Sequence, residues 1–196
     1  IDILEEHKVE PHIPLEHRDR FEYVQLKRGD LLDMTLARLR SIVYSTTGLP
    51  LDRVTRLHYS PMCETFSYAI FDNAPHRQSD CTPISPLAIE HDTYLEVVLD
   101  TIRQLTVLQP AVQVSCENPS GLFRKHPAVL RMLQLPHWVL KKGDHCASTL
   151  PELDGDQPYP KKPSVWLLYN VQDGFQMPRC KKGCQHRVGN TPLYRL

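Results

Sequence analysis

This chain has no excess of positive charge: 23 lysines and arginines are matched by 23 aspartates and glutamates. Non-specific nucleic-acid binders draw most of their affinity from phosphate neutralisation, so any such contact here must come from a local basic patch. Glycine is scarce as well, eight residues against 17 prolines. That ratio predicts long irregular connections between short regular elements. Apolar runs stop at strand length, which excludes a helix crossing a membrane in this sequence. No signal peptide is evident. Six cysteines among 196 residues are too sparse for a disulfide scaffold and point to a reducing, intracellular setting. Ile1 takes the place of an initiating methionine. The chain is expected to begin inside an apolar strand, as a processed product or a piece of a longer protein would.

What is present fits one α/β domain, with 41 % hydrophobic residues. Residues 1–4 read as the tail of a buried strand. Pro11 and Pro14 exclude a regular helix in the His-rich stretch that follows. Residues 21–26 alternate apolar and polar, as a short strand does, and run into Gly29 and Asp30. Leu36, Leu39, Ile42 and Val43 share one helical face within 33–43, and Gly48-Leu49-Pro50 ends that helix. A strand is expected over 54–59, then the strongest helix over 86–108, where Leu87, Tyr94, Val98, Ile102 and Leu105 recur at helical spacing. Residues 111–116 are the next strand, ending at Glu117. Strand, helix, strand predicts a doubly wound, mostly parallel sheet, with ligands outside the carboxyl ends of its strands. Asp2, Asp30, Cys63 and Glu117 all fall at that edge.

Cys63 follows Pro61 in a turn after a strand, where a thiolate would make a nucleophile. The plainer alternative is a buried, inert cysteine. Glu117 at a strand end either hydrogen-bonds a ring nitrogen in a site or caps a helix beginning near Ser120. Arg124 and Lys125 either hold phosphate and orient a base or are solvated surface charge. Cys180, Cys184 and His186 have spacing suited to zinc, with Cys146 or His145 as a fourth ligand. Arg179, Lys181, Lys182 and Arg187 make this the most basic segment and the best nucleic-acid contact, DNA or RNA.

Four runs, in order, resemble motifs of small bacteriophage-type DNA cytosine-5 methyltransferases. Ser60-Pro61-Met62-Cys63-Glu64-Thr65-Phe66-Ser67-Tyr68-Ala69 resembles the Pro-Pro-Cys loop. Cys116-Glu117-Asn118-Pro119-Ser120-Gly121-Leu122-Phe123-Arg124-Lys125 resembles the Glu-Asn-Pro segment. Gly143-Asp144-His145-Cys146 is similar to a Tyr-Cys segment, and Lys161-Lys162-Pro163-Ser164-Val165-Trp166 to an Arg-Lys-Pro-Thr-x-Ile-Trp motif. A similar Cys-rich stretch occurs near the end of related proteins, so the cysteines there are either zinc ligands or family architecture.

The resemblance implies a Rossmann-like, S-adenosylmethionine-dependent methyltransferase fold. It implies one domain over 1–196, its core in 1–135 and an irregular, basic, Cys/His-containing part in 136–196. Cys63 would attack C6 of a flipped-out cytosine and Glu117 would hydrogen-bond N3. Asp30 would meet the adenine of S-adenosylmethionine and Asp2 its ribose. Two departures stand out. Met62 replaces the proline expected before the cysteine, and no Phe-x-Gly-x-Gly-type run is present, so the first strand and its cofactor loop are expected to be missing. The alternative is an inactive methyltransferase-like protein, serving as a structural or nucleic-acid-binding subunit among the protein partners of an assembly such as a ribonucleoprotein. Methylation of RNA is a third reading.

Overall fold

The computed structural model describes residues 31–67, 75–144, 163–172, 174–177 and 179. Helix α1, Leu36–Thr47, begins where the Thr35 hydroxyl accepts from the Arg38 amide and ends at Gly48, whose φ of 70° a side chain would strain. Strand β1 is Arg56–Tyr59. Helix α2, Pro86–Leu108, is capped by Ser85, with proline in its first turn where the missing N–H costs nothing. Strand β2 is Gln113–Pro119, and the short helix α3, Pro127–Met132, follows it. Strands β3, Trp138–Asp144, and β4, Pro163–Tyr169, complete the described elements.

The four strands form one sheet in the order β1-β2-β4-β3. β1 and β2 run parallel, with Arg56 opposite Gln113 and Tyr59 opposite Cys116. β4 runs antiparallel to both β2 and β3. The sheet is therefore mixed, and the expectation of a mostly parallel sheet is corrected: among the described residues, one pair is parallel and two are antiparallel. The cause lies in 136–196, expected to be irregular, which supplies β3 and β4. Asp144, the last residue of β3, pairs with Pro163, the first of β4. The chain leaves and re-enters at one end of the sheet, which dictates antiparallel pairing.

Side chains alternate across β2, so Val114 and Cys116 enter the core while Ser115 and Glu117 lie on the other face. Val114, Cys116, Val165 and Leu167 are at most 1 % exposed. They share one buried cluster with Tyr94, Leu95, Val98, Ile102 and Leu105 of α2. Each such side chain withdrawn from water contributes about 1.5–3 kcal/mol before entropy is counted. The Thr101 hydroxyl also donates to the Met34 carbonyl, fixing the entry to α1 against α2.

Candidate active site

Because β1 and β2 are parallel neighbours, the segments leaving them emerge side by side at one sheet edge. One carries Cys63, the other begins within Glu117-Asn118-Pro119. Strand pairing continues through Pro119, opposite Ser164, so Glu117 is held inside the ladder rather than in a turn beyond it. The Asn118 side-chain amide donates to the Pro61 carbonyl at 3.2 Å, joining the two segments. Cys63 is exposed, whereas Glu117 is buried. Cys63, in the segment after β1, and Glu117, within β2, are thus brought towards the same edge of the sheet.

The chain at Cys63 makes a tight turn. The Phe66 and Ser67 amides both donate to the Cys63 carbonyl at 3.0 Å. On the far side the Leu122 amide donates to the Phe66 carbonyl at 2.8 Å, and Ser67 bridges to Gly121. Backbone passes so close there that a Cβ on Gly121 would lie 2.2 Å from the Phe66 oxygen. His58 completes the edge, its ring nitrogens within 2.8 Å of Ser115 Oγ and 2.9 Å of Ser60 Oγ. Trp166, paired with Glu117 across the sheet, lies beside the His58 ring. Beneath the edge the groups are sealed from chemistry. Burial raises the Tyr59 phenol above its ordinary value and pushes the Cys116 thiol up to about 12.

A polar cluster that the sequence did not announce lies behind the Cys63 turn. Arg77, fully buried, donates to Thr65 Oγ1 at 3.2 Å and to the Ala88 carbonyl at 3.0 Å, and it pairs with Asp92 at 2.5 Å. Its guanidinium stands 4.0 Å above the Phe66 ring. The Ala128 amide donates to His126 Nδ1 at 3.2 Å, and His126 Nε2 lies 3.1 Å from Asp92. Burial raises the Asp92 carboxyl, but hydrogen bonds and charge from His126 and Arg77 outweigh it and hold the group below its ordinary range. Thr65 Oγ1 also meets His91 Nδ1 at 3.0 Å, and His91 Nε2 lies 3.4 Å from Glu64. One signal for this cluster was available: in α2, His91 sits with Ala88 and Leu95 on the buried stripe, where a helix should be apolar.

Among the other expected site residues, Arg124 and Lys125 form a 3-10 turn, Phe123–Lys125. The Lys125 ammonium donates to the Ser79 carbonyl at 2.6 Å. Arg179 Nε stands 3.4 Å from the buried Asp144 carboxylate. Asp2, Asp30, His145, Cys146, Cys180, Lys181, Lys182, Cys184, His186 and Arg187 lie outside the described residues. Among the described residues no group of three or more His, Cys, Asp or Glu side chains could hold a metal ion, and no helix is long and apolar enough to cross a membrane. A cleft of about 790 Å³ opens between α2, α3 and the approach to α1, lined by Leu32, Val97, Asp100 and Met132 among others. Neither Cys63 nor Glu117 lines it.

No family model and no curated protein matches the chain. Among solved structures, the methyltransferase EhMeth of Entamoeba histolytica is similar at 14 % identity with a TM-score of 0.42, over 84 % of this chain and 44 % of that one. The chain spans less than half of that protein's length.

Proposed function

We propose that this chain is the base-attacking part of a DNA cytosine-5 methyltransferase. The observation that supports it is an exposed thiol in the segment after β1 and a buried carboxyl in the neighbouring β2, the two segments joined by the Asn118–Pro61 bond. As a thiolate, Cys63 adds to C6 of a flipped cytosine, forming an S–C6 bond and moving the ring electrons towards C5 and N3. Glu117 hydrogen-bonds N3 and stabilises the charge that gathers there. C5 becomes a carbon nucleophile; once C5 has bonded an electrophile, loss of its hydrogen as a proton to a base returns the electrons to the ring, breaks the S–C6 bond and frees the thiolate. S-adenosylmethionine, when bound, supplies the methyl group as an electrophile, with Asp2 and Asp30 the residues proposed to hold it. Arg124, Lys125, Arg179, Lys181, Lys182 and Arg187 remain the proposed nucleic-acid contacts. Cys180, Cys184, His186 and Cys146 remain the proposed zinc ligands.

A second reading is an inactive, methyltransferase-like subunit of a larger assembly. It is favoured by Val107 and Leu108, large apolar side chains at the end of α2 that are 69 % and 64 % exposed. Trapping separates the two. With S-adenosylmethionine present, DNA carrying 5-fluorocytosine should form a denaturation-resistant adduct with the wild-type chain and none with Cys63→Ala. Trapping of the matching RNA but not DNA would move the substrate to RNA, and no adduct with either would favour the inactive subunit.

A further inference from the structure

We propose that Arg77 is a positioning residue for the Cys63 thiol, holding the Cys63–Ser67 turn in place from behind. The proposal rests on the reading of Cys63 as the nucleophile. Among the described residues the turn is closed by two backbone bonds, from the Phe66 and Ser67 amides to the Cys63 carbonyl. Left alone it would sample many conformations, because one turn of helix fixes several dihedrals for few bonds. The Leu122–Phe66 bond and the Ser67–Gly121 bridge hold its far side, and a guanidinium that reaches several elements at once holds it from behind. Arg77 bonds Thr65 within the turn, covers the face of Phe66, and anchors to the Ala88 carbonyl and the Asp92 carboxylate of α2. It also donates to the Cys81 carbonyl at 3.2 Å, so the residues between Arg77 and Cys81 close around their own side chain.

A general contribution to stability accounts poorly for this arrangement. Burying a cation is costly, and a packed apolar side chain in its place is often as stabilising. Among the described residues the buried Nε–H of Arg77 finds no acceptor, which adds to the cost. What a planar, multiply bonded fork provides over an apolar residue is direction. Thr65 is the joint: its hydroxyl meets both Arg77 and His91, so turn and helix are held by one oxygen. A thiol that must lie within reach of C6 gains from such fixing, since a small misplacement far from the reacting atoms costs rate without costing affinity.

The test compares Arg77→Lys, which keeps charge but loses the fork, with Thr65→Val, which removes only the joint. Amide hydrogen exchange on the full chain is read at Phe66 and Ser67 and, as the internal reference, at Leu95 and Leu99. Protection at Phe66 and Ser67 should fall by at least about tenfold in both variants, while the α2 amides change by less than about threefold. Unchanged protection at Phe66 and Ser67, or an equal loss throughout, overturns the proposal. Should Arg77→Lys fail to fold, Thr65→Val decides alone. Where the wild type exchanges the C5 hydrogen of cytosine with solvent, both variants should lower kcat for that exchange by at least about tenfold and leave KM within about twofold. A kcat unchanged in both variants overturns the proposal as well. Absence of C5 exchange in the wild type would instead refute Cys63 as the nucleophile, and amide exchange would still decide whether Arg77 holds the turn.

Discussion

Asn118 donates its side-chain amide to the backbone carbonyl of Pro61 at 3.2 Å, and that bond joins the two sheet-edge segments bearing Glu117 and Cys63. It is available because the parallel register of β1 and β2 sets Tyr59 beside Cys116, so Pro61 and Asn118 each follow that pair by two residues. Asn118 is fully buried. A buried amide costs free energy unless paired, so this contact belongs to the architecture of the edge rather than to chance.

Replacing Asn118 with Leu should therefore destabilise the chain by about 1–3 kcal/mol, the cost of leaving the Pro61 carbonyl without its donor. Urea unfolding measures this as a lower midpoint with an unchanged slope. A midpoint equal to that of the wild type would mean the two segments are held together by something else.

The thiols should separate sharply by reactivity. Cys63 is exposed. Burial pushes Cys81 up to about 11 and Cys116 up to about 12, so both stay protonated and closed to solvent at pH 8. Brief iodoacetamide treatment followed by peptide mass mapping should label Cys63 at least about tenfold faster than either. Equal labelling of Cys116 would contradict the packing of β2 against α2.

Much of this edge could be read from the sequence. The helix over 86–108 matches α2, because a long stripe at helical spacing with serine before it and Pro110 after it leaves little freedom. The strands expected over 54–59 and 111–116 correspond to β1 and β2, although β2 runs on through Pro119, since its pairing with β4 continues past the turn-forming residues. β3 and β4 were not legible. Lys141 and Lys142 break the apolar pattern of β3, and Pro163 opens β4, where a missing N–H is tolerated only because it is the first residue. Their strand character comes from pairing with each other across many residues, which no local window contains. Arg77 escaped notice for a similar reason: a cation in a polar loop looks solvated until Asp92 is folded against it.

Gly121 should not tolerate a side chain. A Cβ there would meet the Phe66 carbonyl oxygen at 2.2 Å, and that atom is backbone held on both sides. Gly121→Ala should cost at least about 1–3 kcal/mol in thermal or urea unfolding and release the turn after Cys63. A neutral substitution would show that the Ser67–Gly121 bridge is not formed in solution.

Acid should weaken the fold through Asp92. Its folded carboxyl lies below the ordinary value of 3.8, so its contribution is complete above that value and is lost as pH falls through the lower folded one. Wild-type stability should consequently drop more steeply between about pH 4 and pH 2 than that of Asp92→Asn, which has no proton to take up. Parallel pH profiles for the two proteins would remove Asp92 from the account.

The most direct measurement follows the C5 hydrogen of cytosine in a DNA oligonucleotide dissolved in deuterated water, with no methyl donor added. Addition of the Cys63 sulfur to C6 makes C5 basic enough to take a deuteron, and elimination then releases the original proton. The wild-type chain should catalyse this exchange, Cys63→Ala should abolish it, and Glu117→Gln should slow it by about 10²–10⁴-fold. No exchange above buffer with the wild-type chain, or exchange that survives Cys63→Ala, would contradict the account.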